Sequence, residues 1–332
     1  MASVLIIKFK NMNKNFIYTG LVALVLLLSN CSTPYKAMKN ITSMDELQYK
    51  HQVKKKYLEQ SKYTIAYTDE GQGDITIVFI HGLGSYLQAW IKNVDVLKSN
   101  YRCISIDLPG YGKSSKEPHS GLMTFYAGIL NEFVKEMKLE NVYLAGHSMG
   151  GQISMTTTLL YPDIVKGLIL VDPAGFEPFH KGQRQWFKNV MTLDGVRLTT
   201  PEAIQNNLAT NFYKLPADAD FMISDRMIMR TAKDFNAYCY AVVQSVGGMV
   251  DNPVLDYLQN IKVPTLIFFG ENDNLIPNRF LNPGRTVDIA KNGAEKIKNS
   301  KLIMVPKCGH FMMFEKAEIF NDEVKIFLNP LK

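Results

Sequence analysis

Short apolar segments alternate with amphipathic ones along most of the chain after about residue 60. The apolar runs, many rich in β-branched residues, are typical of buried strands, and the amphipathic stretches repeat their apolar positions with helical spacing. The predicted strands are residues 63–68, 75–80, 101–106, 142–145, 167–171, 264–269 and 301–305, and the predicted helices are residues 86–98, 122–138, 149–161 and 312–328. Because strands that alternate with helices form parallel sheets covered on both faces, we predict an α/β fold with a mainly parallel sheet flanked by helices.

The interval from 176 to about 257 interrupts this alternation with a helical pattern. Thr200-Pro201-Glu202 is typical of a helix start, since it combines a capping residue, a first-turn proline and an acidic side chain. We therefore predict a helical cap inserted between the sixth and seventh strands of the sheet. Its apolar residues either pack within the cap or line an adaptable apolar pocket, and the sequence does not separate the two groups. They include Met191, Phe212, Phe221, Met222, Met227, Met229, Tyr238 and Tyr240.

Residues 1–30 have the pattern of an export signal. Lys8, Lys10 and Lys14 precede an uncharged, mostly apolar stretch at 16–28. That stretch is shorter than the ~20 residues that span a bilayer, but it suits the apolar region of a secretory signal. Translation from Met12 would give a compact signal of the same kind.

The end of this segment, Leu28-Ser29-Asn30-Cys31, resembles the lipobox of bacterial lipoproteins, in which the cysteine is acylated and becomes the mature N-terminus. Asn30 departs from the small residue that usually precedes the cysteine. The resemblance implies a signal peptide at 1–30, a lipidated Cys31, a tether at 31–49 and a domain at 50–332, held by its lipid on the periplasmic or outer face of a bacterial cell. The alternative is an ordinary secreted or membrane-anchored protein in which Cys31 is incidental.

The charge of the chain argues against one class of partner, and its cysteines argue against a fold held by disulfides. The net charge is +6, and removal of residues 1–30 leaves +3, from 34 basic against 31 acidic residues. This small, dispersed excess does not predict a nucleic-acid partner. Cys103, Cys239 and Cys308 do not form a disulfide framework, so a large apolar core must hold the fold. The sequence shows neither metal-ligand spacing nor a phosphate-cradling glycine loop, and we therefore predict no metal and no cofactor.

The pentapeptide Gly146-His147-Ser148-Met149-Gly150 lies between a predicted strand and a predicted helix. A serine between two glycines at such a position is typical of a nucleophile elbow, a turn so tight that its neighbours must lack side chains. The backbone strain of this turn presents the serine hydroxyl above the edge of the sheet. The pattern therefore predicts that Ser148 is a catalytic nucleophile.

The order of the motifs resembles that of the α/β-hydrolase family over residues 60–330. Within the family, the chain is most similar to the capped branch of esterases, lipases and carbon–carbon-bond hydrolases with a serine nucleophile. Dehalogenase and epoxide-hydrolase relatives carry an aspartate at the elbow, and Ser148 therefore argues against both. The motifs, besides the elbow, are His81-Gly82-Leu83-Gly84, Asp107-Leu108-Pro109-Gly110-Tyr111-Gly112-Lys113-Ser114, Val171-Asp172-Pro173-Ala174-Gly175, Gly270-Glu271-Asn272-Asp273 and Cys308-Gly309-His310.

The chemistry and the family's chain order together indicate a triad of Ser148, Asp273 and His310. A serine hydroxyl needs a base to take its proton, imidazole titrates near neutrality, and a carboxylate orients the imidazole and supports its developing charge. His310 follows the last predicted strand and is the predicted base, and Asp273 follows the preceding strand and is the predicted acid. Asp172, which also ends a strand, is the alternative acid. Cys308 lacks an elbow of its own and is predicted to be a packed thiol.

The remaining histidines are predicted to have structural places. His81 and His147 lie inside the motifs beside the site, where they shape loops. His51, His119 and His180 are predicted to lie at the surface.

The family resemblance also implies an oxyanion hole made by the main-chain N–H groups of Leu83 and Met149. It implies a carboxylic-ester hydrolase that acts through an acyl-enzyme on a small-molecule ester or acyl substrate. The Met-rich cap favours an apolar acyl group. One alternative is a carbon–carbon-bond hydrolase of the same fold, acting on vinylogous diketones. Another is a non-catalytic binding protein on a hydrolase scaffold, which an intact triad disfavours.

Overall fold

The structure, a computed structural model, describes residues 39–329. The predicted signal peptide at 1–30, the lipidation site Cys31 and the predicted tether up to residue 38 lie outside the described residues. One compact unit begins at Asn40. None of the helices within residues 39–329 is long and apolar enough to span a bilayer.

The strands of this unit form one eight-stranded sheet in the order β1-β2-β4-β3-β5-β6-β7-β8. β2 pairs antiparallel with β1 and β4, and all other neighbours pair in parallel. The mainly parallel sheet predicted from the sequence is therefore confirmed. The strands are β1 (Lys54–Tyr57), β2 (Thr64–Glu70), β3 (Thr76–Ile80), β4 (Arg102–Ile106), β5 (Val142–His147), β6 (Gly167–Val171), β7 (Thr265–Gly270) and β8 (Ser300–Val305).

Helices cover both faces of the sheet, so its central strands are buried on both sides. Successive residues of a strand point to opposite faces: Ile77 and Phe79 of β3 pack in one apolar cluster, and Val78 and Ile80 pack in the other. The helices outside the cap are α1 (Ile91–Leu97), α2 (Met123–Glu136), α3 (Met149–Leu160), α9 (Thr286–Lys296), α10 (Met312–Glu315) and α11 (Ala317–Leu328).

The predicted helical cap lies between β6 and β7. Its helices are α4 (Lys181–Val190), α5 (Leu193–Arg197), α6 (Pro201–Thr210), α7 (Asp220–Met229) and α8 (Phe235–Asp251). α6 begins as predicted: the Thr200 side chain accepts a hydrogen bond from the N–H of Ala203, and Pro201 lies in the first turn. The cap packs on the main domain with apolar residues in both clusters, namely Phe212, Met222, Met229, Phe235 and Tyr238.

The N-terminal segment at 40–51 packs against both the cap and the main domain. Met44 is buried, and its N–H and the Ser43 hydroxyl donate to the carboxylate of Asp234, next to α8. The Tyr49 hydroxyl donates to Oδ2 of Asp107, in the loop after β4, at 2.9 Å. These contacts lie within the stretch predicted as a tether.

Two features of the fold differ from expectation. Residues 54–56, which none of the predicted strands includes, form most of β1, an edge strand whose lysines keep the edge polar. His119 is buried, so its prediction as a surface residue is wrong. Its ring stacks on Phe125 at 4.9 Å, and burial lowers the pKa of His119 to about 4.

Candidate active site

Ser148 lies at a sharp turn between β5 and α3. Its φ of 52° and ψ of −118° are strained for a residue with a side chain, as expected for a nucleophile elbow. A Cβ on Gly146 would meet the carbonyl of Gly150, and a Cβ on Gly150 would meet the carbonyl of Ile80. Both glycines are therefore required by close backbone contact. The N–H of Ser148 donates to the Val171 carbonyl at 2.9 Å, which ties the elbow to β6.

The predicted oxyanion donors lie on two elements that meet at the elbow. Met149 is the first residue of α3, where the N–H has no partner within the helix. Leu83 lies in the loop after β3, and a Cβ on its neighbour Gly82 would be 3.1 Å from Cβ of Ser148. Within residues 39–329, neither of the two N–H groups is engaged in a hydrogen bond. Both are therefore free to bind an anion.

His310 and Asp273 are brought together from the loops after β8 and β7. Nδ1 of His310 lies 2.7 Å from Oδ2 of Asp273, and both side chains are buried. Oδ1 of Asp273 accepts the N–H of Leu275 at 2.7 Å and that of Ile276 at 3.1 Å. A carboxylate fixed in this way holds the proton of the neutral imidazole on Nδ1 and leaves Nε2 free to accept one.

The loop that carries His310 is held by several contacts that the sequence does not reveal. The N–H of Gly309 donates to the carboxylate of Glu315 at 2.8 Å, and the N–H of Phe311 donates to the carbonyl of Asn211 in the cap at 3.0 Å. Nε2 of His147 lies 2.9 Å from the His310 carbonyl. The predicted base is therefore positioned by the elbow, the cap and α10 together.

The histidines beside the site serve the loops, as predicted. Nδ1 of His81 donates to the Gly82 carbonyl at 2.8 Å, and its Nε2 accepts the N–H of Leu108 at 3.1 Å. Burial lowers the pKa of His81 and holds that of His147 well below its usual range. Both are therefore neutral at neutral pH. Cys308 is buried, and burial raises the pKa of its thiol, which fits a packed thiol rather than a nucleophile.

The alternative acid, Asp172, lies beside Asp273 rather than in its place. Its side chain is buried at the end of β6, and Oδ1 accepts the N–H of Gly270 at 2.9 Å. An oxygen of Asp172, an oxygen of Asp273 and a ring nitrogen of His310 lie within 4.8 Å of one another, close enough in principle to share a metal ion. The short His310–Asp273 contact fits a hydrogen-bonded pair, and we assign no metal ligand here.

Arg226 of α7 is a further residue that no motif indicated. Its guanidinium donates to the carbonyl of Gly84, in the loop that carries Leu83, and lies over the ring of Tyr238 at 5.2 Å. A cation is therefore held against the predicted oxyanion loop. Its place could not be foreseen, because 142 residues separate it from Gly84 in the sequence.

Two surface cavities, of about 480 and 550 Å³, are lined by none of the predicted site residues. The candidate active site therefore lies outside both of these cavities. The first cavity adjoins the end of α2, and the second adjoins the start of α8 and includes Arg197 and Arg230.

The chain is similar to known hydrolases in both sequence and structure. A 2-hydroxy-6-oxononadienedioate/2-hydroxy-6-oxononatrienedioate hydrolase from Escherichia coli O81 (strain ED1a) is 30% identical over 277 residues, which cover 80% of this chain and 90% of that protein. A "probable hydrolytic enzyme" from Pseudomonas aeruginosa PAO1 superposes with a TM-score of 0.77 at 23% identity, over 87% of this chain and 98% of its own. An esterase from Exiguobacterium antarcticum superposes with a TM-score of 0.70 at 23% identity, and the superposition covers 84% of this chain and 99% of the esterase chain.

The sequence model of the α/β-hydrolase fold matches residues 75–317. That range includes the elbow, both carboxylates and the loop of His310. With the eight-stranded sheet and the inserted cap, this match shows that the chain belongs to the α/β-hydrolase family.

Proposed function

We propose that the protein is a serine hydrolase with Ser148 as nucleophile, His310 as base and Asp273 as the orienting acid. The observation that carries the proposal is the 2.7 Å hydrogen bond between His310 and Asp273, in a domain whose strained elbow presents Ser148. Nε2 of His310 takes the proton of Ser148 as its oxygen attacks a carbonyl carbon. The same nitrogen then returns the proton to the leaving group, and water releases the acyl group by the reverse sequence.

The oxyanion that forms on the attacked carbonyl needs donors that are already in place. The N–H groups of Leu83 and Met149 are the proposed donors, because one opens α3 and the other lies in the adjoining loop. Such a donor commonly contributes about 2.7–4 kcal/mol to transition-state stabilisation. Both contributions are main-chain, so side-chain replacement at either position leaves the donor itself unchanged.

The proposed substrates are small-molecule carboxylic esters with an apolar acyl group. The support is the apolar packing between the cap and the segment after His310, where the rings of Phe212 and Phe311 lie 5.4 Å apart. p-Nitrophenyl esters of graded chain length test this proposal. We expect turnover that depends on Ser148 and varies with acyl length, whereas equal, Ser148-independent rates across the series would contradict it.

Cleavage of a carbon–carbon bond is the second candidate, because the 30% identical E. coli relative is named for a dienedioate substrate. Arg226 supports it, since a cation beside the loop of Leu83 suits a substrate that carries carboxylates. A vinylogous 1,5-diketone with a terminal carboxylate, assayed beside the esters, separates the two reactions. If the diketone is the better substrate, Arg226→Gln should raise its KM more than Arg230→Gln does. If both variants turn over neutral esters faster than the diketone, ester hydrolysis is favoured.

A non-catalytic binding protein is the alternative from a different class. It predicts no covalent labelling of Ser148 by a fluorophosphonate and no turnover of any ester. The buried pairing of His310 with Asp273 supports the enzyme instead, because a binding scaffold has no use for an oriented base.

We propose that the mature protein is a lipoprotein anchored through Cys31. The support is the sequence alone: three lysines, an apolar stretch and Leu28-Ser29-Asn30-Cys31. Several acyl chains give stable membrane anchoring, whereas one is marginal. We expect the protein to fractionate with membranes and to be released by detergent but not by salt. Intact-mass analysis showing a mature chain that starts at Ser32 or later, without lipid, would contradict the anchor.

A further inference from the structure

Asp172 has an unusual environment for an ionisable side chain. It lies at the end of β6 with no exposed surface, in a left-handed conformation of φ 41°. Its Oδ1 accepts the N–H of Gly270, but its buried Oδ2 receives no hydrogen bond from any N–H or O–H group within residues 39–329. An oxygen of the Asp273 carboxyl lies within 4.8 Å of an oxygen of Asp172, so the two carboxyl groups are neighbours.

Two buried carboxyl groups in contact cannot both carry a charge at low cost. Burial first, and then the charge of Asp273, raise the pKa of Asp172 well above its usual value. The charge of Glu315 also raises the pKa of Asp172, whereas the hydrogen bond from the N–H of Gly270 lowers it. The other titratable groups nearby are His310 and Cys308. One of the two aspartates is therefore expected to hold a proton.

The hydrogen bonds decide which aspartate is neutral. Asp273 accepts from the N–H groups of Leu275 and Ile276 and from Nδ1 of His310, whereas Asp172 accepts from Gly270. Donors favour the ionised form of a carboxylate, which has about four acceptor sites. The charge therefore belongs on Asp273, and one acceptor site of that carboxylate remains open.

We propose that Asp172 is a positioning residue for the triad acid, with a neutral carboxyl whose O–H donates a hydrogen bond to Asp273. This fills the remaining acceptor site of Asp273 and holds that carboxylate towards His310. It also keeps a second negative charge out of the centre. The proposal rests on the triad proposed above and assigns to Asp172 a role other than that of an alternative acid.

The kinetic test compares Asp172→Asn with Asp172→Ala. An asparagine retains a donor for Asp273 and an acceptor for the N–H of Gly270, whereas alanine retains neither. We expect kcat to remain within about tenfold of wild type in Asp172→Asn and to fall about 100-fold in Asp172→Ala, the loss that follows from a poorly held catalytic group. Asp273→Asn should lower kcat by about 10⁴. A loss in Asp172→Asn as large as that in Asp172→Ala would overturn the proposal.

The pH profile separates a neutral Asp172 from an ionised one. If Asp172 is neutral, Asp172→Asn removes no charge, and the midpoint of the acid limb of kcat/KM stays where it is in wild type. If Asp172 is ionised, the substitution removes a negative charge beside His310 and lowers that midpoint by about one pH unit or more. A shift of that size would overturn the proposal.

Infrared spectroscopy of protein labelled with carboxyl-¹³C aspartate tests the proton without any need for turnover. At pH 7, wild type should show the C=O stretch of a neutral aspartic acid, and Asp172→Asn should lose it. Asp225→Asn is the matched control. Burial raises the pKa of Asp225 as well, but this carboxyl accepts a hydrogen bond from the Tyr86 hydroxyl and is not part of the proposed pair. The band should persist in that variant, and its absence there would overturn the proposal even if Asp172→Asn did not fold. A failure of Ser148 as nucleophile would leave this result unchanged.

Discussion

The N–H of Gly309 donates to Oε2 of Glu315 at 2.8 Å, and the same carboxylate accepts from the cap. The N–H of Tyr213 lies 3.0 Å from Oε2, and that of Lys214 lies 2.9 Å from Oε1. One side chain thus joins the loop of His310 to the cap. The position of the proposed base and the seating of the cap are therefore linked.

Replacement of Glu315 by alanine should lower both stability and turnover. Hydrogen bonds to a charged group are each worth about 1.5–3 kcal/mol, so we expect a loss of at least that size in urea unfolding. Turnover should fall tenfold or more, at about the scale that misplacement of a catalytic group produces. The control is Glu318→Ala, because that residue is exposed on the first turn of α11. Unchanged kcat and stability in Glu315→Ala would contradict the link.

Loss of the Tyr49 hydroxyl should destabilise the main domain. It donates to Oδ2 of Asp107, whose Oδ1 accepts the N–H of Leu87 after the oxyanion loop. We expect Tyr49→Phe to lose about 1.5–3 kcal/mol in chemical unfolding, since the bond is made to an acidic group. Tyr57→Phe, at a side chain that is 46% exposed, is the control and should lose almost nothing. Equal stability of the two variants would show that the segment at 40–51 does not support the fold.

The two cap residues Phe221 and Met222 should respond differently to truncation. Met222 is 5% exposed and packs in the cluster that contains Phe311, so Met222→Ala should cost about 2–5 kcal/mol. Phe221 is only half-buried, and its ring lies 6.0 Å from that of Phe314. Phe221→Ala should therefore lower the free energy of unfolding by less than Met222→Ala does. Melting temperatures and relative rates across the ester series measure both effects. A change in chain-length preference in Met222→Ala without a loss of stability would instead place that side chain in the substrate pocket.

The pKa of Asp172 also predicts how stability depends on pH. A carboxyl group whose pKa is raised in the folded state keeps a proton that the unfolded chain releases above about pH 3.9. Its contribution to stability therefore falls as pH rises from there to the folded-state pKa, by up to about 1.4 kcal/mol per pH unit. The Asp172→Asn protein cannot titrate at this position, so it should gain stability relative to wild type as pH increases. Urea unfolding at pH 5, 6 and 7 measures the difference, and a constant difference would contradict a raised pKa.

Local patterns predicted the sheet well, and two of the residues that they single out, His310 and Asp273, lie in contact in the structure. β6 begins and ends where the sequence indicated, and the ends of the other predicted strands lie within two residues of the observed ends. Strands that are buried on both faces appear in the sequence as apolar runs, and such runs are easy to locate. β1 was missed because an edge strand of lysines has no such run. Contacts such as those of Glu315 and Arg226 could not be foreseen, since their partners lie far away in the sequence. The burial of His119 could not be predicted either, because its neighbours in the sequence are polar and give no sign that its ring packs on Phe125.

Ser148 is proposed to form an acyl-enzyme, and covalent labelling shows whether it does. Wild type and Ser148→Ala are each treated with a fluorophosphonate, and the adducts are located by intact mass and peptide mapping. We predict one adduct in wild type, at Ser148, and neither an adduct nor measurable turnover in Ser148→Ala, since loss of a triad member commonly costs several orders of magnitude in rate. Labelling or near-full ester hydrolysis in Ser148→Ala would contradict the account.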